Sequence, residues 1–183
     1  MKNIVLIQKK IDVSKIFRQI QQNPHDWNSA RTIKSAEQNP ELPVGVLQLV
    51  IGVVPDRNTH VGNSEMSVKT PLYNKYTETT YWLKKNGFKN HSRMAFLGMP
   101  VGGMVGTHID EGTYYQTRDR YHLSIFGNYQ YTVGDEVINV EPGMFFWFNN
   151  KLPHSSINTG NTTRITLVFD LPHSKRNPQW KVK

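Results

Sequence analysis

The sequence predicts a mainly β protein with flanking helices, and two observations support this. After about residue 92, at least seven short segments of apolar or alternating residues follow one another, separated by turns rich in glycine, proline and asparagine. Before that point, two amphipathic segments flank one long apolar run. This order is typical of a small β barrel or sandwich with helices packed on one outer face.

The first half contains two predicted helices and one predicted strand. Asp12 can cap the first helix, which has an apolar face and ends before Pro24. The apolar run Val44–Val54 is too short to cross a membrane and favours a buried strand. A second helix is predicted over Tyr73–Lys85, and Asn86-Gly87 is a typical stop signal for it.

The second half is predicted to consist of strands joined by short turns. Gly134-Asp135 lies between two alternating segments, as in a β hairpin. The glycine-rich segment Gly102–Gly106 follows Pro100 and opens no helix, so it predicts a mobile loop and not a phosphate-binding loop. The predicted strands are Arg93–Met99, Tyr121–Phe126, Tyr129–Val133, Glu136–Val140, Met144–Phe148, Ser155–Asn158 and Arg164–Phe169.

The length of 183 residues predicts a single domain. Residues 1–92 would buttress the barrel, residues 93–172 would form its β core, and residues 173–183 would form a basic tail. The absence of cysteine excludes disulfides, thiolate metal sites and a cysteine nucleophile. No segment resembles a signal peptide or a membrane span, so we expect a cytoplasmic protein without a membrane partner.

The chain is basic, with 22 lysines and arginines against 14 acidic residues and a formal net charge of +8. The basic residues are scattered and form no run of five like charges. This distribution favours a solvated surface that attracts anions over a nucleic-acid-binding surface. A basic β barrel that binds nucleic acid or another anion remains an alternative to an enzyme.

Three residues of the second half have metal-ligating side chains. His108 and Asp110 flank one residue in an extended loop after the strand Arg93–Met99, so both should point to the same side. His154 lies between two later strands. Two histidines and one carboxylate form a facial triad that leaves three positions open on an octahedral Fe(II). Open positions suit a catalytic metal better than a structural one.

Arg164 begins an apolar predicted strand ten residues after His154. A buried guanidinium costs free energy unless it meets an anion, and its planar shape suits a carboxylate. A hairpin between His154 and Arg164 would point both side chains into one barrel mouth. A metal beside a carboxylate-binding arginine suits a 2-oxo diacid, whose keto acid end can chelate the metal while the arginine holds the far carboxylate.

These motifs resemble the 2-oxoglutarate/Fe(II)-dependent oxygenases, and within them most closely the aspartyl/asparaginyl β-hydroxylase family. The resemblance implies a double-stranded β-helix, which is a jelly-roll, cupin-like barrel, and it covers about a third of the chain. The elements that carry it are Thr107–Asp110, Arg120-Tyr121-His122-Leu123, Gly143–Asn150, Pro153-His154, Asn158 and Arg164–Asp170.

The resemblance also implies cofactors and the residues that hold them. Fe(II) would be bound by His108 and His154, and 2-oxoglutarate would be anchored by Arg164 and contacted near the metal by His122. O2 would be the second cosubstrate. Animal members of the family lack a metal carboxylate, whereas this chain has Asp110. A carboxylate at that position argues against halogenation, because a halide then has no vacated ligand position.

The remaining candidates concern the substrate and the support of the metal ligands. Arg120, from the Arg-x-His-Leu element, or Arg118 would meet a carboxylate of the substrate. The long loop over residues 111–119 also carries Tyr114 and Tyr115 as substrate-binding candidates. The resemblance also places two further residues, Asn149 and Asn150, at positions where members of the family often carry acidic residues, and we expect them to support the metal ligands.

We therefore expect a dioxygenase that hydroxylates a C–H bond of an amino acid, free or in a peptide, as 2-oxoglutarate is decarboxylated to succinate. The substrate would be a small molecule or peptide that bears a carboxylate. One alternative is a cupin-like metal enzyme that does not use 2-oxoglutarate, which would have no need of Arg164. The other is the basic binding module, for which nucleic acid is the less favoured partner.

Overall fold

The computed structural model describes residues 2–27 and 45–173, which form two antiparallel β sheets and four short α helices. The strands are β1 (Ile4–Gln8), β2 (Gly45–Gly52), β3 (Ser67–Lys69), β4 (Ser92–Met99), β5 (Met104–His108), β6 (Arg118–Phe126), β7 (Tyr129–Val133), β8 (Glu136–Val140), β9 (Phe145–Phe148), β10 (His154–Ile157) and β11 (Arg164–Pro172). The helices are α1 (Ser14–Gln21), α2 (Pro71–Lys75), α3 (Thr77–Lys85) and α4 (Thr113–Gln116).

The two sheets form the predicted barrel. The larger sheet has the strand order β1-β9-β6-β11-β4-β2-β3, and the smaller has the order β5-β10-β7-β8. Their inner faces line a shared cavity of about 390 Å3. The predicted mainly β, jelly-roll fold is therefore confirmed, and β1 to β3 show that residues 1–92 also contribute strands to the larger sheet.

Alternation along the strands sorts side chains between the two faces of the larger sheet. In β11, Leu167 and Phe169 belong to the apolar core on the outer face, whereas Arg164 and Val168 line the cavity. In β6, His122 lines the cavity in the same way. Three basic side chains of these two strands, those of Arg120, His122 and Arg164, consequently line the cavity.

The helices cover the outer face of the larger sheet, as the sequence predicts. Ile16 and Ile20 of α1 and Leu83 of α3 are buried in the same apolar core as the outward residues of the sheet. Phe17 of α1 stacks on Phe126 of β6, with ring centroids 4.3 Å apart. The apolar face of α1 therefore fixes the helix against the barrel wall.

The single helix predicted over Tyr73–Lys85 is wrong in detail, because the structure divides it into α2 and α3. Tyr76 interrupts the helix with φ −87° and ψ 65°. Its side chain is fully buried, and its hydroxyl donates a 3.1 Å hydrogen bond to Asp26. Burial of this tyrosine in the core outweighs the helical preference of the segment, a tertiary effect that a local pattern does not reveal.

Two connections also differ from the predictions. Gly102–Gly106 is partly ordered as the start of β5, which places His108 at the end of a strand. No hairpin joins His154 to Arg164, because β10 pairs with β5 and β7 while β11 pairs with β4 and β6. The chain crosses from one sheet to the other, yet both side chains still line the same cavity.

Two predicted features lie partly outside the described residues. The predicted strand Val44–Val54 is observed as Gly45–Gly52, and Val44 lies outside the described residues. Of the predicted basic tail over residues 173–183, only residue 173 is described. Within residues 2–27 and 45–173, every helix is too short or too polar to span a membrane.

Candidate functional site

Strand pairing brings the two predicted metal-ligating histidines together. His154 of β10 is the cross-strand partner of His108 of β5, and their ring centroids are 4.2 Å apart. Asp110 follows two residues after His108, and its amide donates a 3.2 Å hydrogen bond to the Asn150 carbonyl. The ligand atoms of His108, Asp110 and His154 all lie within 4.8 Å of one another.

Hydrogen bonds to carbonyl groups orient both imidazoles. Nδ1 of His108 lies 2.8 Å from the Gly106 carbonyl, and Nδ1 of His154 lies 2.9 Å from the Leu152 carbonyl. A carbonyl accepts hydrogen bonds only, so each Nδ1 must carry the proton. In the neutral rings, Nε2 then keeps its lone pair, which is the arrangement found in metal-binding histidines.

The environment of His154 keeps its ring neutral. Burial lowers the pKa of His154 to about 4, and the nearby charge of Asp110 only partly offsets this effect. A neutral imidazole does not need to lose a proton before it can bind a metal. At neutral pH, the site is therefore ready to accept a cation.

Two neighbours occupy one oxygen of Asp110. Oδ2 accepts a 2.9 Å hydrogen bond from Nη1 of Arg120 and a 3.1 Å hydrogen bond from Nδ2 of Asn150. The amide oxygen of Asn150 accepts a 2.9 Å hydrogen bond from Lys151, which orients that amide. Oδ1 of Asp110 instead lies 4.0 Å from Nε2 of His108. The second oxygen therefore faces the other ligands.

Arg120 is neutralised on both sides. Its Nε and Nη2 donate hydrogen bonds of 2.8 and 2.9 Å to the two oxygens of Asp170, which is completely buried. Burial alone would lower the pKa of Arg120, but Asp110 and Asp170 raise it well above its usual value. Tyr114 donates a further hydrogen bond of 3.0 Å to Asp170.

Arg164 has a different environment, because no carboxylate among residues 2–27 and 45–173 pairs with it. It is only 1% exposed. Its guanidinium donates hydrogen bonds of 3.0 Å to Thr166 and 2.8 Å to Ser156 and lies 4.2 Å from the centre of the Tyr129 ring. Nε is buried without a partner in the described structure. Burial lowers the pKa of this guanidinium.

His122 is an aromatic neighbour of the metal-ligating residues. Its ring lines the cavity and packs edge-on against Tyr131, Phe146 and Phe148 at 4.9–5.2 Å. Burial, followed by the charges of Arg164 and Arg120, lowers its pKa well below the usual value. Its Nδ1 finds no hydrogen-bond partner in the described part of the chain. The ring is therefore neutral and has an unused polar atom.

The structure brings only some of the substrate-binding candidates to the cavity. Arg120 and Tyr115 line it. Arg118 does not, and it pairs with Glu65 at 2.6 Å near the surface. Tyr114 is completely buried and bonds to Asp170 and Ser92.

The two asparagines predicted to support the ligands also differ. Asn150 is buried and bonds directly to Asp110. The side chain of Asn149 accepts a hydrogen bond from the backbone amide of Lys151 and contacts none of the three ligands. Asn150 therefore contacts one of the three predicted ligands, while Asn149 belongs to the turn that follows β9.

Sequence reasoning missed three residues around the site, namely Asp170, Lys151 and Arg93. A signal existed for Asp170, because a carboxylate in an apolar strand needs an oppositely charged or hydrogen-bonding partner, as the guanidinium of Arg164 does. Arg93 carries no comparable signal, because its hydrogen bonds go to Val61 and Ser64, far away in the chain. Lys151 donates both to its neighbour Asn150 and to the distant carbonyl of Arg118, and no local pattern marks it.

The family model of aspartyl/asparaginyl beta-hydroxylases matches residues 59–174, more than half of the chain. The chain belongs to this family. The match includes the three predicted metal ligands, His108, Asp110 and His154, together with Arg164 and His122. Membership of the aspartyl/asparaginyl hydroxylase family supports an oxygenase-type oxidoreductase, in agreement with the expectation from sequence.

Similarity to one solved structure supports the fold, and a second similar structure covers a smaller part of the chain. An oxidoreductase of the 2OG-Fe(II) oxygenase family from Burkholderia pseudomallei is 12% identical with a TM-score of 0.59, covering 92% of this chain and 84% of its own. A protein from Thermotoga maritima described as a predicted oxalate decarboxylase is 20% identical with a TM-score of 0.40, covering 49% and 74%. Among curated proteins, no significant sequence match was found.

Proposed function

We propose that this hydroxylase depends on Fe(II) and 2-oxoglutarate and oxidises a C–H bond of an amino acid, free or within a peptide. The observation that carries the proposal is the guanidinium of Arg164. It is a buried cation without a carboxylate partner in the described structure, and it lines the same cavity as His108 and His154.

The donor set fits the metal. Two neutral imidazoles and one carboxylate oxygen are the ligands of the facial triad of non-haem Fe(II) oxygenases, which leaves positions for other groups. The carbonyl bonds to His108 and His154 and the contacts of Asp110 preset the orientation of each ligand. Each ligand is therefore held before the metal arrives.

The far end of the cavity fits a dicarboxylate. An acid group at Arg164 would neutralise a buried charge and give its unpaired Nε a partner. Ser156 and Thr166 already hold two nitrogens of the guanidinium. The guanidinium of Arg164 is thus held in place before the diacid binds.

When bound, Fe(II), 2-oxoglutarate and O2 supply the oxidising chemistry, in which the diacid loses CO2 to give succinate and the substrate gains a hydroxyl group. The protein holds the metal through His108, Asp110 and His154 and orients the diacid through Arg164. Apolar walls that include Phe148 and Val168 keep water away from the reacting groups.

Two measurements test this proposal. The first is 2-oxoglutarate binding to the anaerobic Fe(II)-loaded protein, and the second is succinate formation with Fe(II), ascorbate and O2. We expect slow succinate formation in the wild type without added substrate, its loss in His154→Ala and weaker 2-oxoglutarate binding in Arg164→Ala. Arg57→Ala removes an exposed arginine outside the cavity and is the matched control.

The outcomes separate the proposal from its alternatives. Failure of the Fe(II)-loaded wild type to bind 2-oxoglutarate would contradict the proposal. Metal binding with an Arg164-independent activity would support the cupin-like enzyme without 2-oxoglutarate. A protein that binds neither metal nor 2-oxoglutarate but binds nucleic acid, with affinity falling steeply as salt rises, would support the binding module.

A further inference from the structure

Among the described residues, three arginines line the cavity, and they differ in the charges around them. Arg120 pairs with two carboxylates, from Asp110 and Asp170, so it has no net charge to offer a ligand. Arg164 has no carboxylate partner in the described structure, but under the proposed function it is assigned to 2-oxoglutarate. The remaining arginine, Arg93 at the start of β4, was not a candidate from sequence.

The guanidinium of Arg93 is held in place without a carboxylate. Nη2 donates hydrogen bonds of 2.6 and 2.7 Å to the carbonyls of Val61 and Ser64. The same group lies 3.5 Å from the centre of the Tyr114 ring. Carbonyls and an aromatic face orient a cation but leave its full charge in place. No carboxylate of residues 2–27 and 45–173 forms an ion pair with Arg93.

Two nitrogens of this guanidinium have no hydrogen-bond partner in the described part of the chain. Nε is buried and has no hydrogen-bond partner in the described residues. Nη1 likewise forms no hydrogen bond within the described part of the chain. Because a buried donor without an acceptor costs free energy, this group favours a ligand that accepts hydrogen bonds and carries negative charge.

The backbone makes room for this arrangement. Arg93 has φ +25°, a conformation that a residue with a side chain rarely adopts. A Cβ atom at Gly52 on the adjacent strand β2 would lie 2.7 Å from Nε of Arg93 and 2.9 Å from its Cζ. The absence of a side chain at Gly52 and the unusual backbone of Arg93 together allow the guanidinium to reach the cavity wall.

We propose that Arg93 binds a carboxylate of the substrate and thereby determines which substrates the cavity accepts. The inference rests on the proposed function of the same cavity. It assigns the substrate class as amino acids or peptides with a free carboxylate, from either the main chain or an acidic side chain. Among the three cavity arginines of the described structure, Arg93 alone has a charge that is neither neutralised by carboxylates nor assigned to 2-oxoglutarate. Recognition of the substrate carboxylate is therefore assigned to Arg93.

Ligand-observed NMR on the anaerobic protein loaded with Zn(II) and 2-oxoglutarate provides the test. The probes are the common L-amino acids. Each is compared with its amide, in which a carboxamide replaces the α-carboxylate. We expect at least one acid to bind about tenfold or more tightly than its amide. The pairs aspartate–asparagine and glutamate–glutamine then show whether a side-chain carboxylate provides the binding.

Variants of Arg93 separate binding from support of the loop. Neither Arg93→Gln nor Arg93→Lys reproduces the paired hydrogen bonds that the guanidinium donates to the carbonyls of Val61 and Ser64, but lysine keeps the positive charge. For the acid that binds, we expect an affinity order of wild type, then Arg93→Lys, then Arg93→Gln, with the glutamine variant about tenfold or more weaker than the wild type. Arg57→Gln makes the same charge change at an exposed position and should bind as the wild type does.

Three results would overturn the inference: no acid binds to the wild type, an acid and its amide bind alike, or the lysine and glutamine variants bind the acid equally.

The titrations are repeated without 2-oxoglutarate. Failure of the wild type to bind 2-oxoglutarate contradicts the proposed function. Acid binding that depends on Arg93 in the absence of 2-oxoglutarate supports the inference independently.

Discussion

Arg120 holds Asp110 through a 2.9 Å ion pair between Nη1 and Oδ2. Asn150 donates to the same oxygen, so Oδ1 is the atom that faces His108. Asp110 therefore leaves one oxygen facing His108, while its other oxygen is held by Arg120 and Asn150. Asp170 on the far side of Arg120 completes the chain of charges and is the most deeply buried member of it.

Asp170→Asn should strongly destabilise the fold. The substitution removes the charge that neutralises Arg120 from a completely buried position. Loss of one partner of a buried ion pair costs about 3–5 kcal/mol in the free energy of unfolding. Urea denaturation of the metal-free protein measures this. Glu65→Gln breaks the exposed pair with Arg118 and should cost less than about 1 kcal/mol. Equal losses in the two variants would show that the buried network has no special role.

Asn150→Ala should weaken metal binding, because Asp110 loses one of the two donors that orient it. Removing such a supporting contact lowers metal affinity about tenfold or more. Titration with Co(II), followed by its visible absorption, gives the affinity. Asn149→Ala removes the adjacent amide, which contacts no metal-ligating residue, and should bind Co(II) as the wild type does. A larger loss in Asn149→Ala would contradict this account.

The free energy of unfolding should fall as the pH drops below about 6.5, the ordinary histidine pKa. Burial lowers the pKa of His122, His154 and His91 in the folded protein, so the unfolded chain takes up protons first. This part of the stability is fully present above the unfolded pKa and is lost as the pH falls toward the folded values. The buried ring of His122 alone can contribute a slope of up to about 1.4 kcal/mol per pH unit.

Urea denaturation at pH 7.5, 6.5 and 5.5 without metal measures this slope. His122→Phe places an uncharged ring among Tyr131, Phe146 and Phe148, and it should reduce the pH dependence. An unchanged slope in this variant would exclude His122 as a source of the effect.

Gly52→Ala should weaken carboxylate binding. The new methyl group would lie 2.7 Å from Nε of Arg93 and 2.9 Å from Cγ2 of Val61, so both side chains would have to shift. Overpacking of this kind costs about 1–3 kcal/mol in the free energy of unfolding. Affinity for the acid identified by NMR should therefore fall, and urea denaturation measures the accompanying loss of stability. Gly45→Ala in the same strand is the matched control, because its Cβ meets only an ordinary 3.4 Å contact with Trp27. Equal affinities in the two variants would contradict the role of Arg93.

Local patterns were sufficient to predict most of the barrel and to single out three residues that the fold brings together, His108, Asp110 and His154. Strand alternation and turn residues are short-range signals, and two residues that flank one position in an extended chain share a side. The desolvation argument that singled out Arg164 applies equally to Asp170, which was overlooked although it lies in the same strand. The prediction that Arg118 binds substrate did not anticipate its pairing with Glu65.

Other features depend on contacts between distant segments and could not be read from a short stretch of sequence. Tyr76 breaks a helix because its ring is needed in the core. Arg93 is available to a ligand because no acidic residue of the described structure pairs with it, a property of the whole fold. The partner of His154 is His108 on another strand, not a hairpin neighbour.

The pairing of β1 with β9 has a consequence for how the chain folds during its synthesis. Ile4 pairs with Phe148, so β1 has no partner strand until β9 has been made. Such sequence-distant pairing typically slows folding to milliseconds or seconds. Until β1 and β9 pair, the edge of β9 is open to association with other chains.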